Sequence, residues 1–145
     1  MKLQVVRANH INFTCYTRGA GKELLLMLHG FPDDAATMLR LMESLDTDRF
    51  TLVAPHLRGL GPSSRAPDRR YLYRELGQDV LGLIEALGFE QAHVYAHDFG
   101  ALAGYAASQL APERITHLIA ASIPPPVTFV RNLPRSPRQI ARSWH

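Results

Sequence analysis

Apolar positions along this chain switch period several times, and each switch marks an element. Gln4 to Ala8 and Asn12 to Thr17 predict a first hairpin, with Ala8-Asn9-His10 near its turn. Leu24-Leu25-Leu26-Met27-Leu28 is a strand-like apolar run. Phe50 to Ala54, Ala92 to Ala96 and Ile115 to Ser122 read as the fourth, fifth and sixth strands. Helices are predicted over 35–45, 73–87 and 99–110. In the second of these Leu76, Val80, Leu83, Ile84 and Leu87 fall at helical spacing, and Gly88 fits its C-cap. Pro112 limits the third. Gly19-Ala20-Gly21 and the Gly/Pro/Ser-rich stretch Arg58 to Arg70 read as loops. Strands alternating with helices predict an α/β fold, with about six strands in a mostly parallel sheet and helices on both faces. No internal repeat, low-complexity segment or second domain is visible.

The most telling boundary is Val94-Tyr95-Ala96-His97-Asp98-Phe99-Gly100-Ala101, where a strand stops and a helix starts. Asp98 stands at the tip with Ala96 and Gly100 two positions to either side. Small residues there let strand and helix approach closely around a strained nucleophile. A carboxylate nucleophile forms an alkyl ester, where Ser would form an acyl-enzyme. The plain alternative is that Asp98 is an N-cap satisfying free N–H groups.

A second pattern, His29-Gly30-Phe31-Pro32, follows the third strand, and Asp33 and Asp34 read as an N-cap for the next helix. His-Gly-x-Pro after a central strand suits half of an oxyanion hole. The donors would be the backbone N–H groups of Phe31 and of Phe99, the residue after the nucleophile. Gly and Pro also punctuate ordinary turns; it is the two patterns together, in this order, that point to a site.

With these residues the chain resembles the α/β-hydrolase superfamily, and within it the epoxide hydrolases. The matching pieces are His29-Gly30-Phe31-Pro32, then Pro55 to Ser63 with its Arg58-Gly59-x-Gly61-x-Ser63, then His97-Asp98-Phe99-Gly100. Pro124-Pro125 through Gln139 and Arg142-Ser143-Trp144 resemble the run into that family's cap. Residues 1–123 then correspond to the amino-terminal part of the core, and 124–145 to the start of the cap. Position 96 is Ala where the family usually has Gly. Position 99 is Phe, which cannot donate a hydrogen bond, where the haloalkane dehalogenases use Trp toward the leaving halide. The oxyanion hole, which uses the backbone N–H of Phe99, is unaffected.

The resemblance implies that Asp98 opens an epoxide to a hydroxyalkyl ester while a cap acid protonates the oxygen. A His oriented by a carboxylate then directs water at the ester. It also implies a cis Phe31–Pro32 bond. The cap tyrosines, the acid and the His all fall later in the family's order than this chain reaches. The 145 residues are therefore expected to be the amino-terminal half of a hydrolase, open to alkylation but not turnover. His117 reads as structural, and His145 is poorly placed for a base. The expected substrate is a small apolar epoxide. Without further strands, Leu118-Ile119-Ala120-Ala121 would form an exposed apolar edge that invites a second copy or a complementing chain.

Composition bounds the rest. Net charge is +3. Arg131, Arg135, Arg138 and Arg142 cluster near the end, but no nucleic-acid motif accompanies them, so a solvated or cap-facing surface is expected. The single Cys15 excludes an internal disulfide and fits the reducing cytoplasm. No signal peptide is evident, no apolar run approaches the roughly 20 residues of a spanning helix, and no metal-ligand spacing or cofactor motif is present. His93 and His97 are four apart but read as straddling a strand end. Gly59-Leu60-Gly61 lacks the form of a phosphate loop. Three functions fit: an epoxide hydrolase; a haloalkane dehalogenase or related esterase; and a non-catalytic half-domain or pseudoenzyme that pairs with another chain.

Overall fold

A computed structural model describes residues 1–142; Ser143 and Trp144 of the cap-like run, and His145, lie outside the described residues. Six strands form one sheet: β1 (Lys2–Ala8), β2 (Ile11–Arg18), β3 (Glu23–Leu28), β4 (Phe50–Pro55), β5 (Ala92–His97) and β6 (Ile115–Ala121). Their spatial order is β1-β2-β4-β3-β5-β6. β1 and β2 pair antiparallel, as do β2 and β4, and the remaining pairings are parallel.

The hairpin closes at Asn9-His10, between the paired Ala8 and Ile11. Both turn residues have positive φ, 47° and 63°, which matches a two-residue turn to the twist of its strands. The Asn9 amide also reaches across to the Gln78 carbonyl (2.7 Å), so the turn is pinned to the helix behind it.

The apolar run in β3 is continuous because the strand is covered on both faces. Leu24, Leu26 and Leu28 point to one side, into a core with Val53, Val94, Leu76, Val80 and Leu83. Met27 points to the other, with Met38, Met42, Leu52 and Ala54. Two helices cover the first face, α2 (Tyr73–Ala86) and α3 (Phe99–Leu110), while a short 3-10 turn (Ala35–Met38) running into α1 (Leu39–Ser44) covers the second. The predicted helix over 35–45 is thus split. Asp34 caps it, its side chain accepting the Ala36 N–H at 2.7 Å. Gly88, just past α2, has φ +82°, as a helix-ending residue does.

After β6 the chain continues into α4 (Pro126–Asn132), a 3-10 turn (Leu133–Arg135) and α5 (Pro137–Arg142). Arg131, Arg135, Arg138 and Arg142 are all exposed. One expectation needs correcting: His93 and His97 do not straddle a strand end. Both lie within β5, at its opposite ends. No helix among the described residues is long and apolar enough to cross a membrane.

Candidate active site

Parallel strands β3 and β5 are neighbours, with Leu28 opposite Ala96. The loops that leave their carboxyl ends are therefore forced together. One loop carries His29-Gly30-Phe31-Pro32 and the other carries Asp98. This adjacency brings the two sequence patterns into a single site.

Asp98 sits at φ 50°, ψ −118°, a backbone conformation that a non-glycine residue adopts only when its surroundings over-determine it. Two contacts do so. Its N–H donates to the Ala121 carbonyl on β6 (3.0 Å), and its own carbonyl accepts the Ala101 N–H (2.9 Å). The N-cap reading fails on geometry, because the Asp98 side chain makes no capping bond to α3. Instead its Oδ1 accepts the backbone N–H of Phe31 at 3.1 Å. Among the described residues Oδ2 has no protein partner, so one carboxylate oxygen is held and the other is free. The Phe99 N–H, in the first turn of α3 where no intrahelical acceptor exists, makes no bond to the carboxylate in this state.

Two glycines make this approach possible. A Cβ on Gly30 would lie 2.8 Å from Asp98 Cβ and 3.1 Å from both Asp98 Oδ1 and His97 Nδ1. On Gly100 it would lie 2.6 Å from the carbonyl oxygens of Leu28 and His29, which are fixed backbone. His97 is thus placed against Gly30, half-buried, as part of the packing around the elbow.

His29 is fully buried and acts as a brace. Its Nε2 accepts the Leu57 N–H (3.1 Å), which fixes the other proton on Nδ1, 2.8 Å from the Gly30 carbonyl. Burial holds its pKa below the usual value, with weaker opposing effects from the Gly30 carbonyl and from Asp34 and Asp33. A neutral imidazole with one donor and one acceptor is what these partners require. The Phe31–Pro32 bond is cis, as the resemblance implies, and so is Gly61–Pro62.

The loop after β4 adds a second layer that its sequence alone did not show. Arg58 donates through Nε to Asp79 Oδ2 (2.5 Å) and through a second nitrogen to Oδ1 (2.7 Å), both side chains being almost wholly buried. A third donor reaches the Arg70 carbonyl (2.5 Å). Ser63 accepts the Thr14 N–H (2.9 Å) and donates to the His56 carbonyl (2.7 Å). The Arg-Gly-x-Gly-x-Ser residues therefore tie the loop to α2 and β2; they do not face the carboxylate.

Beside the elbow a cleft of about 700 Å³ is lined by Leu102 of α3, by Ser122, Ile123 and Pro124, and by Pro126 and Phe129 of α4. Ser122 on its wall follows Ala121, whose carbonyl accepts the Asp98 N–H. Its walls are mostly apolar. Among the described residues no group of three or more His, Cys, Asp or Glu could hold a metal ion.

Comparison with known proteins gives the chain a family. Residues 23–141 match the family described as alpha/beta hydrolase fold. The chain belongs to that family. It is 30% identical to Epoxide hydrolase 1 of Caenorhabditis elegans over 146 residues, which is 100% of this chain and 35% of that one. It is 32% identical to the fluoroacetate dehalogenase of a Burkholderia species, over 98% of this chain and 47% of that one. A solved structure of an epoxide hydrolase from Bacillus megaterium, with its product bound, superimposes with a TM-score of 0.88 at 33% identity. That match covers 97% of this chain and 49% of that one. The chain thus spans about a third to a half of the length of these relatives.

Proposed function

We propose that this chain carries the nucleophile half of an epoxide hydrolase, with Asp98 as the nucleophile. The observation that carries the reading is the Phe31 N–H on Asp98 Oδ1 at a turn strained to φ 50°. Oδ2, which has no protein partner among the described residues, attacks an epoxide carbon. The C–O bond of the ring breaks, its electron pair stays on the epoxide oxygen, and that oxygen takes a proton from an acid of the cap. Asp98 becomes a hydroxyalkyl ester whose carbonyl oxygen is Oδ1, already under the Phe31 N–H. When water adds to that ester, negative charge develops on Oδ1, and the N–H groups of Phe31 and Phe99 stabilise it. One such donor is worth about 10²–10³ in rate. His29, Gly30, Pro32, His97 and Gly100 support this geometry without touching the reacting atoms.

The apolar cleft beside the elbow supports a small apolar epoxide as substrate. Residues 1–123 are assigned to the core and 124–145 to the start of a cap. The buried Cys15, whose thiol pKa burial pushes up to about 12, is unreactive and fits a cytoplasmic protein. The β6 edge, with Ile119 62% exposed, supports pairing with a complementing chain or a second copy.

The dehalogenase relative favours a second reading, in which the same carboxylate displaces a halide. Phe99 weighs against it for haloalkanes, since its ring offers no N–H to the departing ion. The two separate on exposing the chain to an aryl epoxide and to a haloalkane of the same skeleton, followed by intact mass. Adduct from the epoxide alone supports the first reading. Adduct from the haloalkane alone overturns it, and no adduct from either favours a non-catalytic role.

A further inference from the structure

The nucleophile turn is held from β6, and the exit of β6 is itself held from α3. The Asp98 N–H donates at 3.0 Å to the carbonyl of Ala121, the last residue of that strand. Ser122 then bends the chain away at φ 74°, a left-handed conformation uncommon for a residue other than glycine. Just past the bend, the Ile123 carbonyl accepts the Tyr105 hydroxyl at 2.9 Å. Tyr105 follows Asp98 by about two turns of α3, which returns it to the same side of the helix. Helix and strand approach closely here: a Cβ on Gly104 would lie 2.8 Å from Leu118 Cδ1 of β6. Tyr73 of α2 lies beside Tyr105; burial, and then Tyr105 itself, pushes the Tyr73 hydroxyl pKa up. That hydroxyl is buried and has no partner among the described residues. The Tyr105 proton goes to Ile123 instead, so two bonds from one element bracket the bend at Ser122.

We propose that Tyr105 is a positioning residue for the nucleophile, acting through the strained bend at Ser122. This rests on Asp98 being the nucleophile and deepens that assignment. Asp98 needs its N–H acceptor, because a residue other than glycine keeps positive φ only when its surroundings over-determine it. The acceptor belongs to the planar peptide unit that joins Ala121 to Ser122. Its orientation therefore changes with φ of Ser122. Once Ile123 is free, Ser122 relaxes toward negative φ, and this peptide unit takes up part of the rotation. The Ala121 carbonyl then turns away from the Asp98 N–H. Tyr105 prevents this by holding the carbonyl on the far side of the bend. Its hydroxyl bonds to Ile123 and not to Asp98, so it orients the nucleophile without touching it.

Amide hydrogen exchange at Asp98, read by NMR on the full chain, tests the coupling beside alkylation of Asp98 by an aryl epoxide. Tyr105→Phe removes only the hydroxyl. It should speed exchange of the Asp98 amide about tenfold relative to that of Ala106 inside α3, the scale of one hydrogen bond. Alkylation should slow with it. Tyr73→Phe deletes a neighbouring hydroxyl that has no partner and should change neither reading. Ser122→Val, whose β-branched side chain resists positive φ, should act like Tyr105→Phe, whereas Ser122→Asn, which accepts positive φ, should match the wild type. An Asp98 amide as well protected in Tyr105→Phe as in the wild type overturns the proposal. So does an equal loss of protection at Asp98 and Ala106, the mark of general destabilisation. If Tyr105→Phe does not fold, equal Asp98 protection in Ser122→Val and Ser122→Asn overturns it. A wild-type chain that epoxides leave unmodified overturns the nucleophile reading instead; Asp98 exchange that still depends on Tyr105 then upholds the positional coupling by itself.

Discussion

The two ends of strands β3 and β5 are organised by different means. At the carboxyl end, position is set by backbone: Gly30 and Gly100 leave no room for a methyl group, and Asp98 is held at positive φ by bonds from its own main chain. At the amino end, position is set by long side chains meeting across strands, Glu23 with Arg49 and His93, and His93 with His117. Backbone contacts tolerate no displacement without strain, whereas side-chain contacts at a solvated surface rearrange at small cost. A carboxylate that must keep one oxygen under an N–H belongs at the first kind of end.

If this contrast holds, substitutions at the carboxyl end should outweigh those at the amino end. The largest effect is expected from Arg58→Met, which leaves Asp79 buried without its main partner. Breaking a buried pair from one side costs about 3–5 kcal/mol, readable as a lowered urea midpoint. A double change, Arg58→Met with Asp79→Leu, should recover much of that loss.

Next come the glycines. Gly100→Ala drives a methyl into two backbone oxygens and should destabilise by about 1–3 kcal/mol. Gly30→Ala should cost about as much, and by pushing on Asp98 Cβ and Oδ1 it should also slow alkylation at Asp98. A Gly30→Ala chain that is alkylated at the wild-type rate would show that the close approach is not needed.

Acid should act through His29. Its folded-state pKa lies below its unfolded value of 6.5 because burial disfavours the cation. The unfolded chain therefore binds the proton more readily, and the stability contributed by neutral His29 is present above pH 6.5 and lost as pH falls below it. His56 shifts the same way for the same first reason. Urea midpoints at pH 7 and pH 5 should differ, with the lower value at pH 5.

The smallest effect is expected at the amino end. Arg49→Gln removes an exposed pair and should move the melting temperature less than any change above. A larger shift than Gly100→Ala would erase the distinction between the two ends.

These ends also differ in how far the sequence discloses them. The elbow is legible because its constraint is backbone, and backbone constraint leaves small residues at fixed offsets: Ala96 and Gly100 around Asp98, and Gly30 beside Phe31. All six strands are legible from their apolar runs. The split of helix 35–45 into a 3-10 turn and α1 is not, because both give the same apolar spacing over so few residues. Arg58 with Asp79 was hidden because the pair spans 21 positions between a loop and a helix. The Glu23–His93–His117 line was hidden for a related reason: it exists only in the register that sets His93 opposite His117, and no single segment carries that register. The bracing of Leu57 and Gly30 by His29 needs the three-dimensional path of the loop.

The most direct test of the central claim is to expose the chain to an aryl epoxide and map the adduct by peptide mass spectrometry, beside Asp98→Asn. An ester on Asp98, absent from the variant, is the predicted result. Adduct on any other residue, or equal labelling of Asp98→Asn, would contradict the assignment of Asp98 as the nucleophile.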